Sequence, residues 1–216
     1  MMAGGVLAWL AENRSAVETA ASQHLALSLS ALAAAILISL PLALLLVRWQ
    51  RLAGPTIAAV NVLRTIPSLA LLVVTLPLLG TGFLPAVVAL TLYGLTAILI
   101  NTYTALSEVD PDVIEAGRGQ GMTDRQVMRR IKIPLGLPVI FAGIRTAAVQ
   151  VVSAATLAAF IGGGGLGELI AAGMGTFNMP QLVVGGLAVA ALAVATELGF
   201  ALLEWGMRRR IMESAA

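Results

Sequence analysis

The sequence predicts an all-α membrane protein of about five transmembrane helices, and three observations carry that prediction. Hydrophobic residues fill 59% of the 216 positions and charged ones only 11%, against roughly 25% charged in an ordinary soluble domain. Such a chain has too little polar surface to stay dispersed in water. Its apolar residues fall in runs of about 20, the length that crosses a hydrocarbon core at about 1.5 Å per residue. Its charges are crowded: residues 108–132 hold ten of the 24 charged side chains.

The elements follow in order. Residues 1–24 include a short apolar stretch without a basic lead, too short to span and unlike a signal peptide. They are expected to form an extracytoplasmic or interfacial segment with Trp9 at headgroup level. A transmembrane domain over 25–205 follows. Its first span covers 25–47, with Pro41 tolerable inside a bundle, and stops at Arg48 and Arg51. The lone His24, at the outer start of that span, is expected at the interface. A second span, 56–79, carries Asn61, Arg64 and Pro67 early in its length. Gly80 and Gly82 turn the chain into a third span, 84–106. The polar insert 107–134 comes next, then a fourth span over 135–161, the run Gly162, Gly163, Gly164 and Gly165, and a fifth span over 182–203. A tail over 206–216 begins with Arg208, Arg209 and Arg210 nearby.

Lysine and arginine set the orientation. With the amino terminus outside, the inner segments 48–55, 107–134 and 206–216 hold two, five and three of them, while the outer segments hold only Arg14. The positive-inside rule therefore places the amino terminus out and the carboxyl terminus in.

The insert is the most specified part of the chain. Asp110-Pro111 reads as an N-cap with proline at the first helical position, and Gly119 or Gly121 can end that helix in a left-handed conformation. Thr123 with Gln126 forms a capping box for a second helix. Val127, Met128 and Ile131 give that helix an apolar face, and Pro134 is expected to close it. A cytosolic helix pair joined to short-looped spans asks for a partner.

Other chemistries are excluded. The absence of Cys and the single His leave no disulfide, thiolate or His-based metal site. Gly162, Gly164 and Gly167 satisfy G-x-G-x-x-G, yet no strand–turn–helix surrounds them, and no G-x-x-x-x-G-K-[ST] string exists to hold ATP. Net charge +2 and ten aromatic residues without basic interleaving argue against nucleic acid. Arg64 and Arg145 sit in apolar sequence, where an unpaired central charge costs about 2.5–3.5 kcal/mol. Snorkelling toward the cytosolic interface or pairing between helices would relieve that cost. Glu197 is deeper and must be neutral, paired or facing a cavity. Tyr93, Asn101, Gln150 and Glu197 are the candidates for a translocation path, with inter-helix hydrogen bonding as the alternative.

The string Glu115-Ala116-Gly117, three residues, Gly121, nine residues, then Ile131-Lys132-Ile133-Pro134 resembles the EAA loop of binding-protein-dependent ABC importer permeases. It departs at Gly117, where Ala is usual, and at Ile133, where Leu is usual; both changes conserve size. Asn61-Val62-Leu63-Arg64-Thr65-Ile66-Pro67-Ser68 and residues 158–167 resemble segments of the osmoprotectant permeases for glycine betaine, carnitine and choline, and less strongly those of methionine importers. The resemblance covers roughly residues 25–205.

That resemblance implies a type I importer fold in a bacterial cytoplasmic membrane. It also implies a second permease subunit, identical or paralogous, two ATPase subunits that bind ATP and Mg, and an external substrate-binding protein. This chain itself would hold no cofactor. Glu115, Ala116, Gly117, Gly121, Ile131 and Pro134 are then expected to form an ATPase-coupling helix pair, in which small residues allow close backbone approach and the helices push as a rigid lever. Residues 162–165 are expected to turn, or gate, the outer mouth. Two rivals remain weaker. An intramembrane protease needs a serine with a histidine base, and no G-x-S-x-G string accompanies His24. A secondary carrier often divides into repeats, and five spans with one helix pair do not.

Overall fold

The structure, a computed structural model, describes residues 2–213, with side chains from 5 to 206. Among these residues the regular structure is entirely helical: α1 (Met2–Glu12), α2 (Arg14–Arg48), α3 (Gln50–Thr65), α4 (Ser68–Leu79), α5 (Phe83–Ser107), α6 (Pro111–Gly119), α7 (Asp124–Val127), α8 (Ile133–Ala154), α9 (Leu166–Gly175) and α10 (Met179–Glu213). A π-helical turn, Met128–Lys132, joins α7 to α8, and a 3₁₀ segment, Ala155–Ile161, extends α8. Four helices are long and apolar enough to cross a membrane, and α3 with α4 makes a bent fifth. The arginines at 208–210 lie outside the described side chains.

Helices α2, α5 and α8 form the centre. Lipid is as apolar as leucine, so helices in a bilayer associate where small residues bring backbones together. Ala31, Ala35 and Ala43 of α2 are fully buried. At Gly94 of α5 an added Cβ would lie 2.8 Å from Val151, and at Gly143 of α8 it would lie 2.6 Å from the Asn101 Cβ. Any side chain at these two points would separate the helices. Leu27, Leu72, Leu90 and Ile98 fill the remaining space, each at most 1% exposed.

Three features depart from the sequence expectation. The span expected at 56–79 is broken: α3 and α4 meet at 100°. Pro67 has no N–H and its ring would strike the Leu63 carbonyl, so Ile66 turns extended (φ −76°, ψ 125°). Next, α2 begins at Arg14 and runs unbroken past residue 24. Consequently His24 is fully buried, not interfacial, and its Nε2 donates to the Val152 carbonyl at 2.9 Å. Third, α9 is an unforeseen short helix. It fits because Gly167, Gly173 and Gly185 leave room: added Cβ atoms there would fall 2.0, 2.7 and 2.9 Å from neighbouring atoms.

Candidate functional site

The charged insert forms a compact cap at one end of the bundle. The Asp110 side chain accepts from the Asp112 amide at 2.9 Å, with Pro111 in the first turn of α6. The Thr123–Gln126 capping box is complete and starts α7. Between them, Gly121 has φ +81°, a left-handed conformation that costs other residues energy. Its amide donates to Arg118, and the Met122 amide donates to Gly117 at 3.1 Å. Arg118 also donates to Asp124 at 2.9 Å, bridging the two helices on the surface.

Gly117 is buried, and an added Cβ there would lie 2.5 Å from Ile131 Cδ1 and 3.9 Å from Val127. These three residues are the seam between α6 and the following turn. On the other side Glu115, Ala116, Gly119 and Gly121 are exposed, so small residues make one face of the pair nearly flat around Glu115, with the exposed Asp112 one turn earlier. A cleft of about 990 Å³ separates the pair from the end of α2, between Leu44, Leu45 and Arg48 on one wall and Arg118, Arg125 and Met128 on the other.

Pro134 does not close the second helix. The Ile133 amide reaches back five residues to Met128, giving one wide π-helical turn, and α8 continues from there. A proline ring cannot sit over the carbonyl four residues earlier in a regular α-turn, and the wider turn makes room for it. The helix pair is thus joined to α8 without an intervening loop. Lys132 adds a tether, its Nζ donating to the Leu106 carbonyl in the last turn of α5 at 3.1 Å.

Within the spans, Arg145 of α8 is a hub. Its Nε donates to both Glu197 oxygens at 3.1 Å and its Nη1 to Glu204 at 2.9 Å, with a further Nη2 contact to Glu197. Sequence reasoning offered an inter-helix pair as one of two reliefs for Arg145 and pairing as one of three states for Glu197, without joining them, and missed Glu204; the seven-residue spacing of the two glutamates, two turns on one face, was the available signal. Asn101 turns its amide back onto the Ala97 carbonyl at 2.8 Å. Tyr93 and Gln150 are half-buried. Tyr93 and Asn101 are about 12 Å apart along α5, Gln150 is level with Tyr93 because Gly94 abuts Val151, and Glu197 is held against α8 by Arg145.

At the opposite end of the bundle, Gly162, Gly164 and Gly165 all have positive φ. The Gly165 amide donates to Gln23 Oε1 at 3.2 Å, and the Gly82 amide donates to the Ile161 carbonyl at 2.8 Å. An added Cβ at Gly165 would lie 3.1 Å from His24 Nδ1. Sequence reasoning missed this packing of Gln23 and His24 against the glycine run.

A bundle of long apolar helices with a broken span and a capped helix pair continuous with α8 is the architecture of a multi-pass membrane protein. Residues 58–209 match the family described as binding-protein-dependent transport system inner membrane component, and the chain belongs to that family. It is 41% identical to the choline transport system permease protein OpuBB of Bacillus subtilis, over 84% of each chain. It is 43% identical to the carnitine transport permease protein OpuCB of Listeria monocytogenes, covering 89% of this chain and 88% of that one. With the osmoprotectant import permease protein OsmW of Salmonella typhimurium it shares 41% identity over 93% of both. These relatives bear the names of transport subunits, not of enzymes. In fold it resembles the inward-facing MetNI methionine ABC transporter, with TM-score 0.79 and 23% identity over 93% of this chain and 97% of that chain. The fold is that of a type I ABC importer permease.

Proposed function

We propose that this chain is the membrane-spanning subunit of an ATP-driven importer of osmoprotectants, quaternary ammonium compounds such as glycine betaine, carnitine and choline. The observation that carries the reading is identity of 41–43% across 84–93% of the chain with permeases named for choline, carnitine and osmoprotectants. Likeness to the methionine transporter is one of fold alone.

In this reading the chain pairs with a second permease subunit in a bacterial cytoplasmic membrane, with its amino terminus outside and the charged insert in the cytosol. Two ATPase subunits bind ATP and Mg and dock on the flat face of α6. An external binding protein delivers substrate at the opposite end. Glu115 meets the ATPase by charge-assisted bonds, Ala116 and Gly121 let it approach, and the Gly117–Ile131 seam keeps the pair rigid. The π-turn before Pro134 passes the push directly into α8, and the Arg145 clamp hands it on to α10. The glycine run 162–165 gates the outer mouth.

The test is uptake of labelled glycine betaine into proteoliposomes holding the chain with its ATPase and binding protein. Uptake that needs internal ATP and is competed by carnitine is the expected result. Uptake of methionine instead, with no quaternary ammonium compound carried, would move the chain to the amino-acid class.

A further inference from the structure

The residue that this function leaves unexplained is Arg64. It lies fourteen residues along α3 from Gln50, about 21 Å of helix. Its neighbours Leu63 and Ile66 pack against the cluster of Leu27, Ala31, Leu90 and Val151, whereas Ala53, near the start of α3, belongs with Leu46 and Leu99. Leu90 is seven residues from the start of the 25-residue α5. Arg64 is therefore level with the half of the bundle remote from the charged insert, too deep for its side chain to reach the interface beside Arg48. This corrects the expectation that it lies near the cytosolic end.

Arg64 is exposed on the surface of this chain, one residue before the bend's approach at Thr65 and Ile66. Among the described residues it has no ion-pair or hydrogen-bond partner. Asn61, one turn earlier on the same face, is exposed too. A guanidinium is not left bare against acyl chains; it snorkels to the nearer interface, or faces a watered path or a carboxylate. A second copy offers no evident carboxylate at this depth. Among the described residues the carboxylates on the span helices are Glu197 and Glu204, bound to Arg145, and Glu18, near the outer end of α2 and paired with Arg14; the others lie in the insert or near the bundle ends.

We propose that Arg64, with Asn61 beside it, is a station on the translocation path that binds the carboxylate of a zwitterionic substrate such as glycine betaine. A planar guanidinium takes a carboxylate through paired hydrogen bonds, and the amide of Asn61 adds a donor. The same charge repels the carboxylate-free cation choline. The inference rests on the osmoprotectant reading and sharpens it: this permease favours betaines over choline.

The experiment uses the complete importer in proteoliposomes and compares glycine betaine with choline. Arg64→Gln lowers glycine betaine uptake about tenfold or more, whereas Arg64→Lys, which keeps the charge but loses the paired hydrogen bonds, lowers it by less. Arg64→Gln leaves choline uptake equal to or above its wild-type level. Since the chain contains no Cys, Arg64→Cys supplies a single thiol. It reacts with a charged, water-soluble thiol reagent, and glycine betaine slows that reaction. Equal loss of both substrates, no loss of either, or an unreactive thiol would overturn the proposal. A wild-type importer that carries neither compound would overturn the substrate reading itself.

Discussion

Gly117 and Gly121 are glycine for different physical reasons. Gly121 stands in open space but at φ +81°; Gly117 has ordinary helical backbone but abuts Ile131. The atom that an added methyl would meet at Gly117 is the movable end of an isoleucine. Gly117→Ala is therefore expected to keep uptake within about twofold of wild type, while Gly117→Leu overpacks the seam by about 1–3 kcal/mol. Gly117→Leu should release the ATPase during purification in mild detergent, and full recovery of ATPase with it would contradict the seam. At the other end, His24→Leu should cost about 1 kcal/mol for one lost hydrogen bond, and His24→Ala about 2–3 kcal/mol because a cavity is added. Thermal denaturation of the purified chain measures both. The caps at Asp110 and Thr123 were legible because their signals are local in sequence. The burial of His24 was not, because its partner Val152 lies 128 residues away.

At the scale of elements, continuity matters more than length. The π-turn Met128–Lys132 joins α7 to α8 as a single rod, and the Gly117–Ile131 seam and the Arg118–Asp124 bridge tie α6 to that rod across the turn at 120–123. Pro134→Ala removes the reason for the wide turn. It should give a regular α-turn, swing the flat face away from its docking position and cut uptake several-fold while the chain still inserts. Hydrogen exchange across residues 128–132 would show the tightened turn, and unchanged uptake with that tightening would sink the rod argument. The Arg145 clamp between α8 and α10 makes a parallel prediction. Arg145→Ala strips Glu197 of its guanidinium partner and should lower the amount of folded chain in the membrane. Adding Glu197→Ala should recover part of that loss; no recovery would mean that the pair is not the unit. Four spans were readable from apolar run length. The 100° bend in the other was readable in principle from Pro67, since proline in mid-span is tolerated only when a neighbour takes up the freed backbone.

For the molecule as a whole, the sequence carried the class because the bilayer imposes simple rules of length and charge, and because the insert's spacing is unusual. It did not carry the polar geometry of the spans. Tyr93, Asn101, Gln150 and Glu197 share only polarity in an apolar background, and that background is equally served by back-bonding, as at Asn101, or by an ion pair, as at Glu197. Depth was also hidden, because the bend changes where Arg64 falls in the membrane.

The central claim, that the capped helix pair couples this chain to an ATPase, is tested most directly by purifying the tagged chain in mild detergent from its native host. An ABC ATPase recovered with wild type and lost with Gly121→Asp, at equal membrane insertion, is the predicted result. Recovery of the chain alone, with uptake into liposomes that contain no ATP, would contradict it.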